Sequence, residues 1–249
     1  MLEKLSIGLN TFKMGLQSGE DIFTIQKNWA LTIDEIVAEL FYNTALNERT
    51  KMAIMALGGY GRFEMSPYSD VDLLFLYDGN DSDVKDVVNG ILYPLWDSKF
   101  EAGGATRTLK DCQKMFNGDL KAKTAMLDAH FICGDKNLAE DFFALLKEVQ
   151  ENRAWKRKFI KGKYEEYSTR IRKFSTSVYL LEPNIKEGKG GLRDWNTATW
   201  MSRIKDGDSS FKDCRDEIGF IFRLRDYLHL NYNKREDRLT FEKDRKSVV

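Results

Sequence analysis

Hydrophobic and polar residues alternate with two different periods along the chain. In residues 20–45 the apolar positions recur every three or four residues, which predicts amphipathic helix, and we expect helices throughout residues 1–50. Residues 52–59 then form a short apolar run that ends in glycine, and residues 69–79 contain the most hydrophobic short run of the chain. Runs of this length bounded by turn residues are typical of buried strands.

A helix and a third strand are predicted next, and the strand pattern then ends. Residues 81–100 begin with acidic residues and carry apolar residues at helical spacing, with Pro94 as a candidate disturbance. Residues 101–109 contain a double glycine and predict a third strand packed closely on its neighbour. From about Asp111 the periodicity is helical, apart from a proline- and glycine-bearing break at residues 180–194.

This pattern predicts an α+β protein with a small mixed β-sheet, flanking helices and an all-helical domain. The segments are N-terminal helices over residues 1–50, an α/β core over residues 51–110, and a helical domain over residues 111–249. The helical domain contains the glycine-rich segment 182–194. Neither repeats nor low-complexity runs occur, so we expect an ordinary globular protein.

The composition of the chain argues against several classes of function. The chain has 249 residues, and its 39 Lys and Arg balance its 39 Asp and Glu, which argues against a nucleic-acid binder held by bulk charge. Cys112, Cys133 and Cys214 lack metal-ligand spacing and predict reduced thiols of a cytoplasmic protein. His130 and His229 are too few for a His-Asp phosphohydrolase centre, and we expect both in helices with structural roles. No apolar run is long enough to span a membrane.

Asp70 and Asp72 open the second predicted strand. Side chains alternate along a strand, so both carboxylates are expected on one side and Val71 on the other. Two neighbouring carboxylates repel each other, and a divalent cation removes that cost. Mg²⁺ prefers such oxygen ligands. The alternative is structural: the aspartates cap a loop or pair with Arg62.

Gly58 and Gly59 end the first predicted strand, where glycine lets backbone N–H groups approach an anion. Ten residues separate Gly59 from Asp70, so the pattern predicts a phosphate cradle beside a metal-binding pair, as a nucleoside triphosphate requires. Other glycine motifs fit worse. The Walker pattern GxxxxGK[ST] is absent, and a GxGxxG motif would need glycine in place of Glu64.

The run GGYGRFEMSPYSDVDLLFL, residues 58–76, resembles the signature of the DNA polymerase β-like nucleotidyltransferase superfamily. Within it, the run is most similar to the bacterial uridylyltransferases of the nitrogen-regulatory protein PII, whose usual sequence is close to GGYGRGELSPYSDIDLL. Phe63 stands where glycine is common. A second segment, LEPNIKEGKGGLRDWNTATW at residues 181–200, resembles the family's EPNIKEGPGGLRD, with Lys189 in place of proline. Weaker matches extend the resemblance over residues 52–242.

The resemblance implies particular roles for these residues. Asp70 and Asp72 would be catalytic and would hold Mg²⁺ as two ions. Glu101 is the nearest candidate for a third carboxylate, and an ordinary strand-end charge is the alternative. The implied nucleotide-binding residues are Gly58, Gly59, Arg62, Ser69, Lys186, Gly190, Gly191 and Arg193. A cationic glycine loop before a helix also suits an anion on physical grounds. An ordered connector is the alternative there, and Arg62 has the alternative of pairing with Glu64 or Asp70.

The implied reaction is transfer of UMP from UTP to a tyrosine of PII with release of pyrophosphate. Two other classes stay open: a nucleotidyltransferase that uses ATP or another acceptor, and a non-catalytic interaction module that kept the fold. Full-length family members also carry a His-Asp hydrolase domain and small regulatory domains, which cannot fit in 249 residues. We therefore expect a fragment or a short paralogue that transfers nucleotide without removing it and without sensing glutamine.

Overall fold

A computed structural model describes residues 1–44, 50–174, 182–207 and 214–240 of the protein. Parts of the predicted segments 1–50 and 111–249 lie outside these residues, namely 45–49, 175–181, 208–213 and 241–249. The chain divides into two compact units, Met1–Glu151 and Asn152–Val249, and each is described by itself.

Two helices open the first unit, α1 (Leu2–Ser18) and α2 (Ile22–Tyr42). Gly19 ends α1 in the left-handed conformation that glycine adopts at low cost, with φ +80°. Asp21 caps α2, since its carboxylate accepts a hydrogen bond from the Thr24 backbone N–H. The apolar face of α2 is buried, as the periodicity predicts; its core residues include Ile25, Trp29, Ile33, Ile36 and Val37.

A four-stranded mixed sheet forms the centre of the first unit. Its strands are β1 (Lys51–Ala56), β2 (Val71–Asp78), β3 (Ala102–Arg107) and β4 (His130–Gly134). The spatial order is β3-β2-β1-β4, with β1 antiparallel to both neighbours and β2 parallel to β3. The α+β class with a small mixed sheet and flanking helices is therefore confirmed.

In the described part of the first unit, seven helices connect or cover these strands. They are α1, α2, the single turn α3 (Gly58–Gly61), α4 (Asp81–Asp97), α5 (Leu109–Asn117) and α6 (Leu120–Leu127), followed by α7 (Lys136–Glu151) after β4. Helix α4 crosses from β2 to the parallel strand β3 and continues past Pro94 to Asp97, so the proline does not end it. Helix α7 packs on β1 and β2.

Strand β4 corrects the prediction that the chain is helical from about Asp111. Helix α6 ends at Leu127, and His130–Gly134 pairs with the free edge of β1, with an irregularity between Ile54 and Met55. His130 therefore begins a strand, and its predicted helical position is wrong. A strand of five residues is too short to show a clear alternation of apolar and polar positions. Its stability comes from pairing with the edge of β1, which is distant in sequence.

The second unit is helical in the part of the chain that the structure describes, with α8 (Arg153–Phe174), α9 (Leu192–Asp206) and α10 (Arg215–Tyr232). The glycine-rich segment precedes α9, as predicted. It is tied to the chain after α10 by a bridge between Asn184 and Arg238. None of the described helices is long and apolar enough to cross a membrane.

Candidate active site

The side chain of Asp72 is exposed, although it lies in a strand that is mostly buried. It is the second residue of β2, and the side chains from Val71 to Tyr77 are otherwise buried. Its backbone carbonyl accepts a hydrogen bond from the Leu57 N–H at 2.9 Å, and it lies opposite Gly103 in the register of β2 and β3. The carboxylate is therefore held on rigid backbone between the turn after β1 and strand β3.

Two glycines flank the Asp72 carboxylate. A methyl group on Gly58 would lie 3.6 Å from Asp72 Oδ2, and one on Gly103 would lie 3.6 Å from Asp72 Oδ1. Gly58 has φ +60°, a conformation that other residues rarely adopt. Each carboxylate oxygen thus faces a residue without a side chain, which leaves room beside it. Sequence reasoning missed Gly103, although a glycine inside a strand is a known sign of close approach.

Asp70 lies just before β2 and is half-buried. Val71, between the two aspartates, is fully buried, and its N–H donates to the Glu101 carbonyl at 2.9 Å. The exposure of these three residues follows the predicted alternation. Ser69 closes the preceding turn, because its hydroxyl accepts from the Ser66 N–H at 3.2 Å and its own N–H donates to the Ser66 carbonyl.

The described residues contain no group of three or more His, Cys, Asp or Glu side chains that could hold a metal ion. Glu101 is exposed at the position preceding β3. The assignment of Glu101 as a third carboxylate of the site stays a prediction. A cation at Asp70 and Asp72 would take its other ligands from elsewhere, and substrate phosphates and water commonly supply them for Mg²⁺.

Arg62 is held by two carboxylates. Its Nε donates to Glu64 at 2.8 Å, and its Nη1 is bonded to Asp128, at the end of α6. Burial on its own would lower the pKa of Arg62, but Glu64 and Asp128 raise it above its ordinary value. The predicted alternative of pairing with Glu64 is thus observed. A methyl group on Gly61 would lie 2.2 Å from the Asp128 carbonyl oxygen, so the turn and this helix end are in close contact.

Phe63 occupies the place of the family's common glycine and adopts a backbone that suits glycine, with φ +62°. Its ring stacks on His130, with centroids 4.2 Å apart. His130 Nδ1 lies 3.1 Å from the Gly61 carbonyl, and its Nε2 lies 3.0 Å from Asp34. Tyr60 donates to the same aspartate at 2.6 Å. Through these contacts, α2 and β4 stabilise the turn that contains Gly58 and Gly59. Sequence reasoning missed these contacts.

In the second unit, the backbone N–H groups of the predicted glycines have partners within the chain. Gly190 N–H donates to the Asp194 carboxylate at 2.7 Å, and Gly191 N–H donates to the Gly188 carbonyl at 3.0 Å. Asp194 also pairs with Arg170. A carboxylate of the chain thus already occupies the first turn of α9, which favours the ordered connector for these two glycines.

Lys186 and Arg193 lie on either side of that turn. The Arg193 N–H donates to the Lys186 carbonyl at 2.9 Å, and Arg193 Nη2 lies 3.3 Å from Glu187 Oε1. Burial, followed by the charges of Arg225 and Arg235, lowers the pKa of Lys186 to about 8. The structure therefore brings the predicted residues together as two sets, one around Asp72 in the first unit and one around Lys186 in the second.

A mixed sheet with an Asp-x-Asp strand after a Gly-Gly turn is the class of site that the nucleotidyltransferase resemblance implies. Comparison with known proteins supports this resemblance. Residues 158–215 match the family model for GlnD PII-uridylyltransferase. The chain is 32% identical over 245 residues to the bifunctional uridylyltransferase/uridylyl-removing enzyme of Azotobacter vinelandii, covering 92% of this chain and 27% of that protein.

Enzymes of the same name from two other bacteria are similar. The one from Phenylobacterium zucineum is 34% identical over 233 residues, and the one from Rhodospirillum rubrum is 36% identical over 240 residues. Each match covers 84% of this chain and 25% of the relative. The chain thus spans about a quarter of the length of these curated relatives. The predicted resemblance is confirmed: the chain is similar to these enzymes along most of its own length, consistent with an N-terminal part of them.

Proposed function

We propose that the chain transfers a uridylyl group from UTP to a tyrosine hydroxyl of PII, with pyrophosphate as the leaving group. The observation that carries the proposal is the setting of Asp72, an exposed carboxylate on a buried strand with a glycine facing each of its oxygens. The names of the relatives support uridylyl transfer, and the description of the family model supports PII as the acceptor.

Asp70 and Asp72 are proposed to hold Mg²⁺, as two ions. The residues fit this cation, because the site offers carboxylate oxygens and leaves open space beside Asp72. When bound, Mg²⁺ would neutralise phosphate charge and lower the pKa of the attacking hydroxyl.

The protein's own contribution is positioning. Leu57 and Gly103 fix the backbone of Asp72 from two sides, so the carboxylate projects from a fixed position in the sheet. Gly58 and Gly59 let the leaving phosphates approach the backbone of the turn, since neither carries a side chain. Arg62 and Ser69 hold that turn in shape. In the second unit, we propose Lys186 and Arg193 as further phosphate contacts, with Gly190 and Gly191 ordering their loop.

The test is transfer of label from UTP to purified PII in the presence of Mg²⁺, with ATP in a parallel reaction. Labelling from UTP supports the proposal, whereas labelling from ATP alone would make the donor prediction wrong. Metal-dependent UTP binding without any transfer would identify a non-catalytic module. Neither binding nor transfer would sink the nucleotidyltransferase proposal.

Asp78 offers a matched control, because it is an exposed aspartate at the other end of the same strand. Asp72→Asn is expected to abolish transfer and Mg²⁺-dependent UTP binding, since it removes one charge at the proposed metal. Asp78→Asn is expected to leave both unchanged. Equal effects of the two substitutions would contradict the role proposed for Asp72.

A further inference from the structure

His130 lies beside the turn that α3 forms at the end of β1. Its backbone pairs with Ala56, the last residue of β1, and its side chain is 15% exposed. The two ring nitrogens face oxygen atoms of two different elements. Nδ1 lies 3.1 Å from the Gly61 carbonyl oxygen of α3, and Nε2 lies 3.0 Å from Asp34 Oδ2 of α2. The ring therefore bridges α2 and the turn.

Both partners of the ring accept hydrogen bonds and cannot donate them, since neither a backbone carbonyl nor an ionised carboxylate has a proton to give. A neutral imidazole carries one N–H and an imidazolium carries two, so only the protonated ring donates to Gly61 and Asp34 at once. The neutral ring has one proton for two acceptors. Because a hydrogen bond to a charged acceptor is the stronger, that proton belongs on Nε2, and the Gly61 carbonyl loses its bond to the ring.

Tyr60 and Cys133 interact with the same Asp34 carboxylate and stay protonated near neutral pH. The Tyr60 hydroxyl donates to Asp34 at 2.6 Å, and burial, followed by the charge of Asp34, raises the pKa of Tyr60 well above its usual value. The same two causes raise the pKa of the Cys133 thiol to about 12. Neither group therefore competes with His130 for a proton in this pH range.

Three charged side chains also lie near the turn. Lys27 Nζ is 5.8 Å from the centre of the Phe63 ring, which stacks on His130. Arg62 and Asp128 pair with each other. Lysine, arginine and aspartate ordinarily change charge outside the range from about pH 6 to pH 9, whereas imidazole changes charge within it. A change of bonding around the turn in this range is therefore assigned to His130.

Gly61 connects the ring to the backbone of the proposed metal ligand. The Gly61 N–H donates to the Leu57 carbonyl at 2.9 Å, and the Leu57 N–H donates to the Asp72 carbonyl at 2.9 Å. The bond from His130 to the Gly61 carbonyl thus belongs to a series of hydrogen bonds that runs from α2 through the turn to β2. Loss of that bond acts on the turn that is proposed to receive the leaving phosphates.

We propose that His130 is a positioning residue for this turn and that its protonation decides how it holds the turn. The protonated ring binds Asp34 and the Gly61 carbonyl together, whereas the neutral ring keeps Asp34 and releases Gly61. The second proton passes to solvent, because the ring is partly exposed. UTP binding is therefore expected to weaken as the pH rises. The role in UTP binding rests on the proposed function, while the two bonding states of the ring do not.

Nitrogen NMR of the histidine rings in the whole chain tests the bonding states without nucleotide. The sequence contains 2 histidines, so the spectrum of His130→Gln assigns the signals. Wild type is expected to carry protons on both ring nitrogens near about pH 6 and on Nε2 alone near about pH 9. In Asp34→Asn the side-chain amide donates to Nε2, so the neutral ring should carry its proton on Nδ1, facing Gly61. Tyr60→Phe is the matched control, because it removes a donor to Asp34 without removing either ring bond, and it should behave as wild type.

Three results would overturn the proposal: a ring with the same single proton over the whole pH range, a neutral wild-type ring protonated on Nδ1, or the same neutral tautomer in wild type and Asp34→Asn. The first two results come from wild type, so the proposal is tested even if Asp34→Asn fails to fold.

Calorimetry with UTP and Mg²⁺ tests the role in nucleotide binding. The affinity of wild type, divided by that of Asp34→Asn at the same pH, is expected to fall about twofold to tenfold between about pH 6 and pH 9, the range that one hydrogen bond supplies. This division cancels the titration of UTP itself, and Tyr60→Phe should show the same fall as wild type. A constant ratio would make the positioning role wrong. UTP binding without transfer to PII would make the proposed reaction wrong and leave both tests of His130 in force, so the two failures are observed separately.

Discussion

The two adjacent glycines of β3 have different structural roles. A methyl group on Gly104 would lie 2.6 Å from the Phe75 ring, closer than side chains tolerate, whereas one on Gly103 would be in ordinary contact at 3.6 Å from Asp72 Oδ1. Gly104 thus permits the packing of β3 on the core. Gly103 keeps open the space beside the proposed metal ligand.

Alanine at each position separates packing from function. Gly104→Ala is expected to lower the free energy of unfolding by about 1–3 kcal/mol through overpacking against Phe75. Gly103→Ala should leave stability nearly unchanged but weaken Mg²⁺-dependent UTP binding. Urea unfolding and calorimetry measure the two effects. The assignment fails if Gly103→Ala proves the more destabilising of the pair.

The backbone of Phe63 leads to a second prediction. With φ +62°, a residue with a Cβ is strained by about 1 kcal/mol relative to glycine, and Phe63 offsets this strain by stacking on His130. Phe63→Ala loses the stacking and keeps the strain, so it should destabilise the protein. Phe63→Gly should be more stable than Phe63→Ala by about 1 kcal/mol, the reverse of the usual order in helices and strands. Thermal unfolding of the two variants measures that order, and an alanine variant more stable than the glycine variant would contradict it.

At the scale of elements, the long helices and the two central strands could be predicted, because the spacing of apolar residues within each element indicates which positions are buried. Strand β4 could not, since it is too short to show a period and pairs with residues of β1 that lie 74 to 81 positions earlier in the chain. For the same reason, sequence reasoning found Asp70, Asp72 and Gly58, which share one motif, but missed Gly103, Asp34 and His130. These three reach the site only through sheet pairing and the packing of α2.

Helix α5 begins with a reciprocal cap that can be tested. The Thr108 hydroxyl accepts from the Asp111 N–H at 3.2 Å, while the Asp111 carboxylate accepts from the Thr108 hydroxyl and N–H. Thr108→Ala is expected to lower the free energy of unfolding by about 1 kcal/mol at neutral pH. Lys110→Ala, in the same first turn, is the control and should have a much smaller effect.

The same cap gives stability a defined pH dependence. Hydrogen bonds from Thr108, with help from Lys114, lower the pKa of Asp111 to about 2. A depressed carboxyl pKa contributes stability above the ordinary pKa of 3.8, and this contribution is lost as the pH falls towards 2. Wild type should therefore lose more stability than Thr108→Ala between about pH 4 and pH 2. If acid unfolding shows that the two proteins lose the same amount of stability over this pH range, the cap is not the cause.

At the scale of the whole molecule, each of the two units contains one of the two sets of predicted site residues. The first contains the complete sheet with Asp70 and Asp72, and the second contains the cluster around Lys186. The predicted boundaries near residues 50 and 110 stay predictions about smaller segments. Because Mg²⁺ is assigned to the first unit and phosphate contacts are proposed in both, the two units are expected to respond differently to Mg²⁺ alone and to Mg²⁺ with UTP.

Hydrogen exchange of the whole chain can resolve these two responses. Mg²⁺ without nucleotide should slow exchange in the turn after β1 and at the start of β2 and β3, where backbone groups hold Asp72 in place. UTP added with Mg²⁺ should also slow exchange around Lys186 and Arg193, the proposed phosphate contacts of the second unit. Asp72→Asn is expected to remove both responses, and Lys186→Gln only the second. If Lys186→Gln also abolishes the response to Mg²⁺ alone, the assignment of the cation to Asp70 and Asp72 in the first unit is wrong.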